Sequence, residues 1–411
     1  MDCPPAVDNN NETMSFYRTP SPLEFSYIAS DLPDTSPMVN QFFVHGSGHI
    51  DRQQLQDALI KAAEANPGMR TRLKGFWGWR YWDDAGPLPL LEEIDAPDWD
   101  GMSSENCPRL GEPIDPRKDA LCQVALIHAA GDVFLLFRTH HAISDGRGTV
   151  HFMHDVFRIL RGEAPLGSTS KITEWDIALR EERPPRPVVE GGCLPVLKCE
   201  KHPGERGCRW QRFYWDGDQN RFTAKLIFTL GQLAREHHGD GKVLFRIPAD
   251  LRRYMKDDEG FSVANCTGAL DLEITTETSM NQIRSLIVKA MRQKEDLSPF
   301  KEDQKIAKWL PGAMFRQSDE SLNKLHAEGR YRMTGVISNM GDVGQELFGC
   351  PGFTPKSLFG APIALENRPI FVGASIHGSV MSIFVGTPKA LASQQDLQAF
   401  CAVLAERLHA L

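Results

Sequence analysis

His140-His141-Ala142-Ile143-Ser144-Asp145-Gly146 is the stretch whose reading decides the fold. Before it runs an apolar segment, Val133 to Thr139, that reads as a buried strand. After Gly148 comes a helix with Val150, Met153, Val156, Phe157 and Leu160 on one face. A strand end facing a helix start is where α/β proteins tend to hold reacting groups. Histidine is the side chain best suited to take a proton near neutral pH. An aspartate four residues on can turn back to bind an arginine and fix the loop, and Gly146 tolerates a backbone conformation closed to residues with a Cβ. With 13 His, 34 Gly and at most 54 acidic residues, His-His-x-x-x-Asp-Gly arises by chance roughly 0.004 times in a chain of this size. Chemistry is therefore preferred over two idle histidines.

Working outward, Val124 to His128 and Val133 to Thr139 flank Ala129-Ala130-Gly131-Asp132 as a hairpin. Met38 to His45 reads as a strand, followed by a turn at Gly46-Ser47-Gly48. Asp51 then caps a helix with Leu55, Ala58, Leu59 and Ala62 on one face, which Pro67-Gly68 stops. In the second half, helices are expected from Phe222 to His237 and from Met280 to Asp296, with a strand from Val243 to Ile247. Ile370 to Ile376 and Val380 to Val385 flank His377-Gly378-Ser379 as another hairpin. Ser393 with Asp396 caps a last helix burying Leu397, Phe400, Leu404 and Leu408. Residues 1–15 read as a disordered lead-in, and 184–217, rich in Pro and Gly, as a crossover without regular period. That leaves an N-terminal lobe over 16–183 and a C-terminal lobe over 218–411. Strands and helices alternate in both, so the class is α/β (α+β).

The chain has 411 residues, which at roughly one domain per 150 residues suggests two or three domains. Hydrophobic residues make up 41% and charged residues 24%, the balance of a soluble globule. Lys+Arg 46 against Asp+Glu 54 gives a net charge of −8. A dedicated nucleic-acid binder would need a basic face instead. No apolar run approaches the ~20 residues of a membrane span, and the first residues lack the pattern of a signal peptide; a cytoplasmic protein is expected. Nine scattered cysteines fit reduced thiols. Cys193, Cys199, His202 and Cys208 are donors of the type zinc takes, but without paired Cys-x-x-Cys knuckles they read as free thiols in a surface connection, and no metal is expected.

The motif resembles the signature of the superfamily containing chloramphenicol acetyltransferase, plant BAHD acyltransferases, polyketide-associated acyltransferases and the condensation domains of nonribosomal peptide synthetases. Other segments are similar and come in the family's order, over about residues 16–411. Pro67-Gly68-Met69-Arg70-Thr71-Arg72 resembles the stretch ending the family's first helix. Ile247-Pro248-Ala249-Asp250-Leu251-Arg252-Arg253 resembles its Asp/Asn-x-Arg segment. Asn265 sits where a Gly-Asn pair is usual, with Ala264 in place of the glycine, and Ser338-Asn339-Met340-Gly341 resembles the Ser-Asn-x-Gly strand. The BAHD Asp-Phe-Gly-Trp-Gly motif is absent, which argues against that branch.

The resemblance implies two chloramphenicol-acetyltransferase-like lobes, each a mixed sheet with helices, forming a pseudo-dimer around a central tunnel. Its catalytic set here would be His141 as general base, Asp145, and Ser338 as oxyanion donor. His140, Gly146, Arg252 and Asn339 would be structural at the site. Asp145 would act by pairing with Arg252, with Arg253 as the fallback. The implied reaction moves an acyl group from acyl-CoA or a phosphopantetheinyl carrier-protein thioester to an amine or hydroxyl. No tightly bound cofactor is implied, and no nucleic acid or membrane span. Alternatives are a free-standing condensation enzyme joining carrier-bound substrates, an epimerisation-type relative, and a catalytically silent binding module.

Several other signals are weaker. His237-His238 lacks a following Asp-Gly and reads as surface, as do His151 and His154, three apart on a helix. Gly373-Ala374-Ser375-Ile376-His377 fails the hydrolase Gly-x-Ser-x-Gly pattern, and Gly46-Ser47-Gly48 lacks the third glycine of a dinucleotide loop. Lys301, Lys305 and Lys308 read as a solvated basic face that could meet a phosphate or an acidic carrier protein.

Overall fold

In the computed structural model the alternating strand and helix signals resolve into two large mixed sheets; residues 16–30, 37–182, 184–185, 191–202, 204–300, 309, 325–362 and 368–411 are described. The first half supplies β1 (Tyr17–Arg18), α1 (Pro22–Ser30), β2 (Val39–Gly48), α2 (Arg52–Ala65), β3 (Arg72–Lys74), β4 (Tyr81–Asp83), β5 (Leu90–Asp95), β6 (Cys122–Ala129), β7 (Asp132–His140), α3 (Gly146–Leu160) and α4 (Glu174–Arg180). The second half supplies β8 (Cys208–Trp215), α5 (Phe222–His238), β9 (Val243–Asp250), β10 (Thr267–Ile274), α6 (Met280–Arg292), β11 (Gly335–Asp342), β12 (Phe353–Ala361), β13 (Phe371–His377), β14 (Val380–Pro388) and α7 (Gln394–His409).

One sheet has the order β12-β2-β7-β6-β5, the other β10-β9-β11-β13-β14-β8, and β1-β4-β3 form a small third. The hairpin read at Ala129 to Asp132 is present: β6 and β7 pair antiparallel with Ala129 opposite Asp132. Its two central residues, Ala130 (φ 48) and Gly131 (φ 84), are both left-handed, the twist a two-residue hairpin favours. The strand period then sorts side chains between faces. Val133, Leu135 and Phe137 join a core with Leu55 and Leu59 of α2 and Phe152 and Val156 of α3. Phe134 and Leu136 turn the other way and meet Phe43, Trp210, Phe359 and Phe384 in a core between the two sheets. Beyond the second sheet, Ile227 and Leu230 of α5 and Leu397 and Leu404 of α7 cover Ile337 and Val372. The layers are helices, sheet, sheet, helices. Fully burying each such side chain contributes about 1.5–3 kcal/mol.

The expected helix caps hold: Asp51 accepts from the Gln54 amide, and Ser393 and Asp396 form a reciprocal capping box. The expected connection at 184–217 is different. Its Pro and Gly signals end at Gly207, and the aromatic run from Cys208 to Trp215 becomes edge strand β8, paired with β14. Cys193, Leu194 and Val196 are buried. The histidines expected at the surface pin this stretch, His237 to the Val196 carbonyl at 2.7 Å and His238 to the Leu197 carbonyl at 2.9 Å. His151 likewise is no surface residue; it stacks on Phe261 at 4.3 Å. A further departure is β12, which lies in the second half of the sequence yet pairs with β2 of the first sheet. Residues 1–15 and Lys301, Lys305 and Lys308 lie outside the described residues.

Candidate active site

β7 ends at His140, and Asp145 is the N-cap of α3, its Oδ1 accepting from the Gly148 amide at 2.8 Å. The residues between form a tight turn. His140 accepts from the Ile143 amide at 3.0 Å through its carbonyl and from the Ala142 amide at 3.1 Å through Nδ1. The His141 amide donates to the Met38 carbonyl at 2.7 Å, and Asn40 Nδ2 donates to the Ser144 carbonyl at 2.8 Å. The role expected for the motif glycine needs correcting. Gly146 opens α3 with φ outside the left-handed range, and a Cβ there would meet only the Phe42 ring, at 3.3 Å. Gly148 is the position that cannot carry one, because its Cβ would lie 2.1 Å from the Val263 carbonyl oxygen.

Val263 belongs to the second half, which grips this loop from the turn after β9 and the approach to β10. Arg252 places all five of its N–H donors. Nη1 and Nη2 donate to Asp145 Oδ2 and Oδ1 at 3.1 and 2.9 Å. The others reach Asp250 Oδ1 (3.0 Å) and the Ser262 and Ala264 carbonyls (2.8 Å each). Asp145 Oδ2 also accepts from the Cys266 amide at 2.8 Å and Thr267 Oγ1 at 3.0 Å. Burial pushes the Asp145 carboxyl up, but Arg252 and the amide donors outweigh it and hold it below the usual carboxylate range. Asp145 is thus an ionised anchor with its oxygens fully engaged and none left to exchange a proton. The fallback is eliminated: Arg253 pairs with Asp296 at 2.7 Å. Asn265 Nδ2 donates to the His141 carbonyl at 2.5 Å. Cys266 and Thr267 were invisible in the sequence, since a backbone amide and a generic hydroxyl carry no signature.

The His141 ring is partly open and stacks on Tyr27 of α1, centroids 4.3 Å apart and planes 22° apart. Nothing singled out Tyr27 in advance. Burial pushes the His141 pKa down to about 4, against the opposing pull of its own carbonyl and of Asp145. Nδ1 is buried with no hydrogen-bond partner among the described residues, which leaves Nε2 as the nitrogen a visitor can meet. His141 is neutral at neutral pH and equipped to accept a proton.

Ser338 is half-buried on β11, opposite Gly373 of β13. Among the described residues no hydrogen bond joins it to His141. Asn339 is exposed and turns away, donating to Thr223 Oγ1 of α5 at 3.2 Å, where it lines a cleft of about 770 Å³ with Arg221, Lys225 and Arg284. The end of β11 does touch the motif helix, since Arg147 Nη2 donates to the Met340 carbonyl at 3.2 Å. Among the described residues no group of three or more His, Cys, Asp or Glu side chains could hold a metal ion. Cys193 bridges to Tyr331 while Cys208 opens β8.

Comparison with solved structures finds the same architecture along nearly the whole chain. The first condensation domain of the calcium-dependent antibiotic synthetase, in complex with a substrate analogue, matches with a TM-score of 0.67 at 12% identity, covering 97% of this chain and 96% of that one. The chain has the condensation-domain fold. The starter condensation domain of rhizomide synthetase RzmA matches with a TM-score of 0.64 at 12% identity, over 95% of this chain and 92% of that one, in a complex with C8-CoA and Leu-SNAC. No family model and no curated protein matches the chain. Among the described residues no helix is long and apolar enough to cross a membrane.

Proposed function

We propose that this chain is an acyltransferase that moves an acyl group from a thioester, acyl-CoA or a phosphopantetheinyl carrier protein, to an amine or hydroxyl acceptor. The observation that carries this reading is His141: a neutral imidazole, partly open, with Nδ1 buried and its backbone held from both halves of the chain. Nε2 takes the acceptor proton as the acceptor nitrogen or oxygen attacks the thioester carbonyl. General-base catalysis of this kind contributes roughly 10²- to 10⁴-fold. The tetrahedral oxyanion needs a donor already in place, the role assigned to Ser338. Collapse breaks the C–S bond, and the imidazolium returns its proton to the departing thiolate. The site forms only where the halves 16–183 and 218–411 meet, with a tunnel bringing donor and acceptor to His141 from opposite mouths.

A second reading, a free-standing condensation enzyme forming an amide between carrier-bound substrates, is favoured by the fold it shares with condensation domains. Incubating the purified chain with octanoyl-CoA and a panel of amines and alcohols, with and without a pantetheinylated carrier, separates the two. Thiol release with a new ester or amide mass from acyl-CoA alone supports the first reading; release only with the carrier supports the second. Thiol release in neither arm overturns both, and an inverted stereocentre without thiol release identifies the epimerisation relative.

A further inference from the structure

His141 is clamped at its backbone and unbonded at its ring. Its amide donates to the Met38 carbonyl and its own carbonyl accepts from Asn265 Nδ2, yet Nδ1 is buried with no partner among the described residues. The nearby motif carboxylate is not free to orient the imidazole, because the oxygens of Asp145 are taken by Arg252, two backbone amides and Thr267. Two other histidines lie flat against aromatic rings, and each also has a bonded ring nitrogen. His45 stacks on Phe134 at 4.3 Å and meets Asp132 at 2.9 Å, while His151 stacks on Phe261 at 4.3 Å and meets the Gly167 carbonyl at 3.1 Å. Among the described residues His141 has the stack alone, on Tyr27 at 4.3 Å and 22°.

An unbonded imidazole turns about two side-chain torsions, the second of them broad, whereas a base must sit within about 0.5 Å and 10–20° of its working place. Aromatic faces at such a separation hold each other in offset-parallel order. Tyr27 in turn stands on a fixed helix. Three residues before it, Glu24 of α1 is fully buried, and its Oε2 accepts from Arg18 Nη1 at 2.6 Å, the Ser21 amide at 2.9 Å and Trp82 Nε1 at 3.2 Å. These bonds tie α1 to β1 and β4 and give a role to a buried carboxylate that the transfer chemistry does not use. Tyr27 itself packs against the core shared by α2 and α3. Resting on the acyl-transfer reading, we infer that Tyr27 is a positioning residue for His141. Its ring face holds the imidazole plane in the orientation that presents Nε2 to the acceptor, the part a hydrogen-bonded carboxylate plays in a Ser-His-Asp triad.

Ring order can be read without turnover, by magnetic-resonance relaxation of the imidazole C–H groups in the full chain carrying isotope-labelled histidine. The His141 signal is identified as the one lost in His141→Gln. Its order parameter should match rigid backbone, about 0.85, in the wild type and in Tyr27→Phe, and fall below about 0.6 in Tyr27→Leu. Unchanged signals from the other histidines show that each variant is folded. With octanoyl-CoA and one acceptor, Tyr27→Leu should lower kcat at least about 10-fold with KM within about twofold, as a misplaced base does, whereas Tyr27→Phe should keep at least about half of wild-type kcat. A mobile ring in the wild type overturns the inference with no variant needed, and so does a ring that stays ordered in Tyr27→Leu. Equal losses of kcat in Tyr27→Phe and Tyr27→Leu also overturn it, since the hydroxyl and not the ring face would then be acting. A ring that is ordered in the wild type and in Tyr27→Phe and loose in Tyr27→Leu, with no transfer by any of the three, counts against the acyl-transfer reading and leaves the positioning of His141 standing.

Discussion

The loop after β7 and the strand β11 both carry sequence motifs of the site, yet they are built in opposite ways. In the loop, Asp145 takes two bonds from one arginine, two from backbone amides and one from Thr267, and even the His141 carbonyl is held by Asn265. On β11, Ser338 has no such partner among the described residues, and Asn339, itself exposed, bonds the half-buried Thr223. A residue that must present a proton acceptor at a fixed place is over-determined by its neighbours; a residue that meets only substrate need not be. The contrast therefore separates the rigid half of the chemistry from the half that substrate completes.

The sharpest way to break it is at His141. Among the described residues its ring makes no hydrogen bond and stacks on Tyr27, so His141→Ala should leave the fold intact while kcat falls roughly 10²- to 10⁴-fold. A folded variant retaining more than about a tenth of wild-type kcat removes His141 as the base.

Next in size is the Asp145–Arg252 pair, both side chains less than a tenth exposed. Removing one partner of a buried pair costs about 3–5 kcal/mol, because the other is left charged and alone. Asp145→Ala and Arg252→Ala should each lower unfolding free energy by that order, and the double variant by far less than their sum. Additive losses in denaturant titrations would mean the two halves of the chain are latched elsewhere.

Part of this was legible in the sequence. The strand–loop–helix around His141 and the β6–β7 hairpin followed from periodicity and motif spacing, and the Arg252 partner from the family resemblance. The exchange of β12 into the first sheet did not, since strand pairing across more than 300 residues leaves no local trace. Nor did the burial of 193–197, where proline and glycine spoke for a loop but Leu194 and Val196 supplied apolar surface to α5. Motif lore pointed at Gly146, whereas the steric demand falls on Gly148, against a carbonyl that only the folded chain brings near.

The ring's environment gives the third test, in pH. The His141 pKa is pushed down to about 4 by burial, and the base form is the neutral one, so activity is present above that pKa and lost as pH falls through it. At pH 5 such a ring is about nine-tenths neutral, whereas an ordinary imidazole would be about 3% neutral. kcat/KM should hold its neutral-pH level down to about pH 5 and then drop with a midpoint near 4. A midpoint near 6.5 would mean that the ring is water-exposed in the working enzyme and that the over-determined loop does not shield it.

The smallest effects belong to β11, and they decide whether the contrast between the two regions is real. Ser338 shares the β11–β13 register with Gly373 and is half-buried, with no hydrogen bond to its hydroxyl among the described residues, which fits the oxyanion role proposed for it. One ordinary hydrogen bond is worth about 0.5–1.5 kcal/mol net, so Ser338→Ala should lower kcat by up to about tenfold with KM nearly unchanged. Asn339 alternates to the other side of the strand, exposed, with an exchangeable bond to Thr223. Asn339→Ala should change stability by no more than about 0.5 kcal/mol, as surface substitutions do, and leave kcat in place. Steady-state kinetics on the two variants side by side checks both. Equal losses of kcat would mean that β11 acts as one positioned unit, as the loop after β7 does; a loss at Asn339 alone would move the oxyanion donor to the far side of the strand and take Ser338 out of the chemistry.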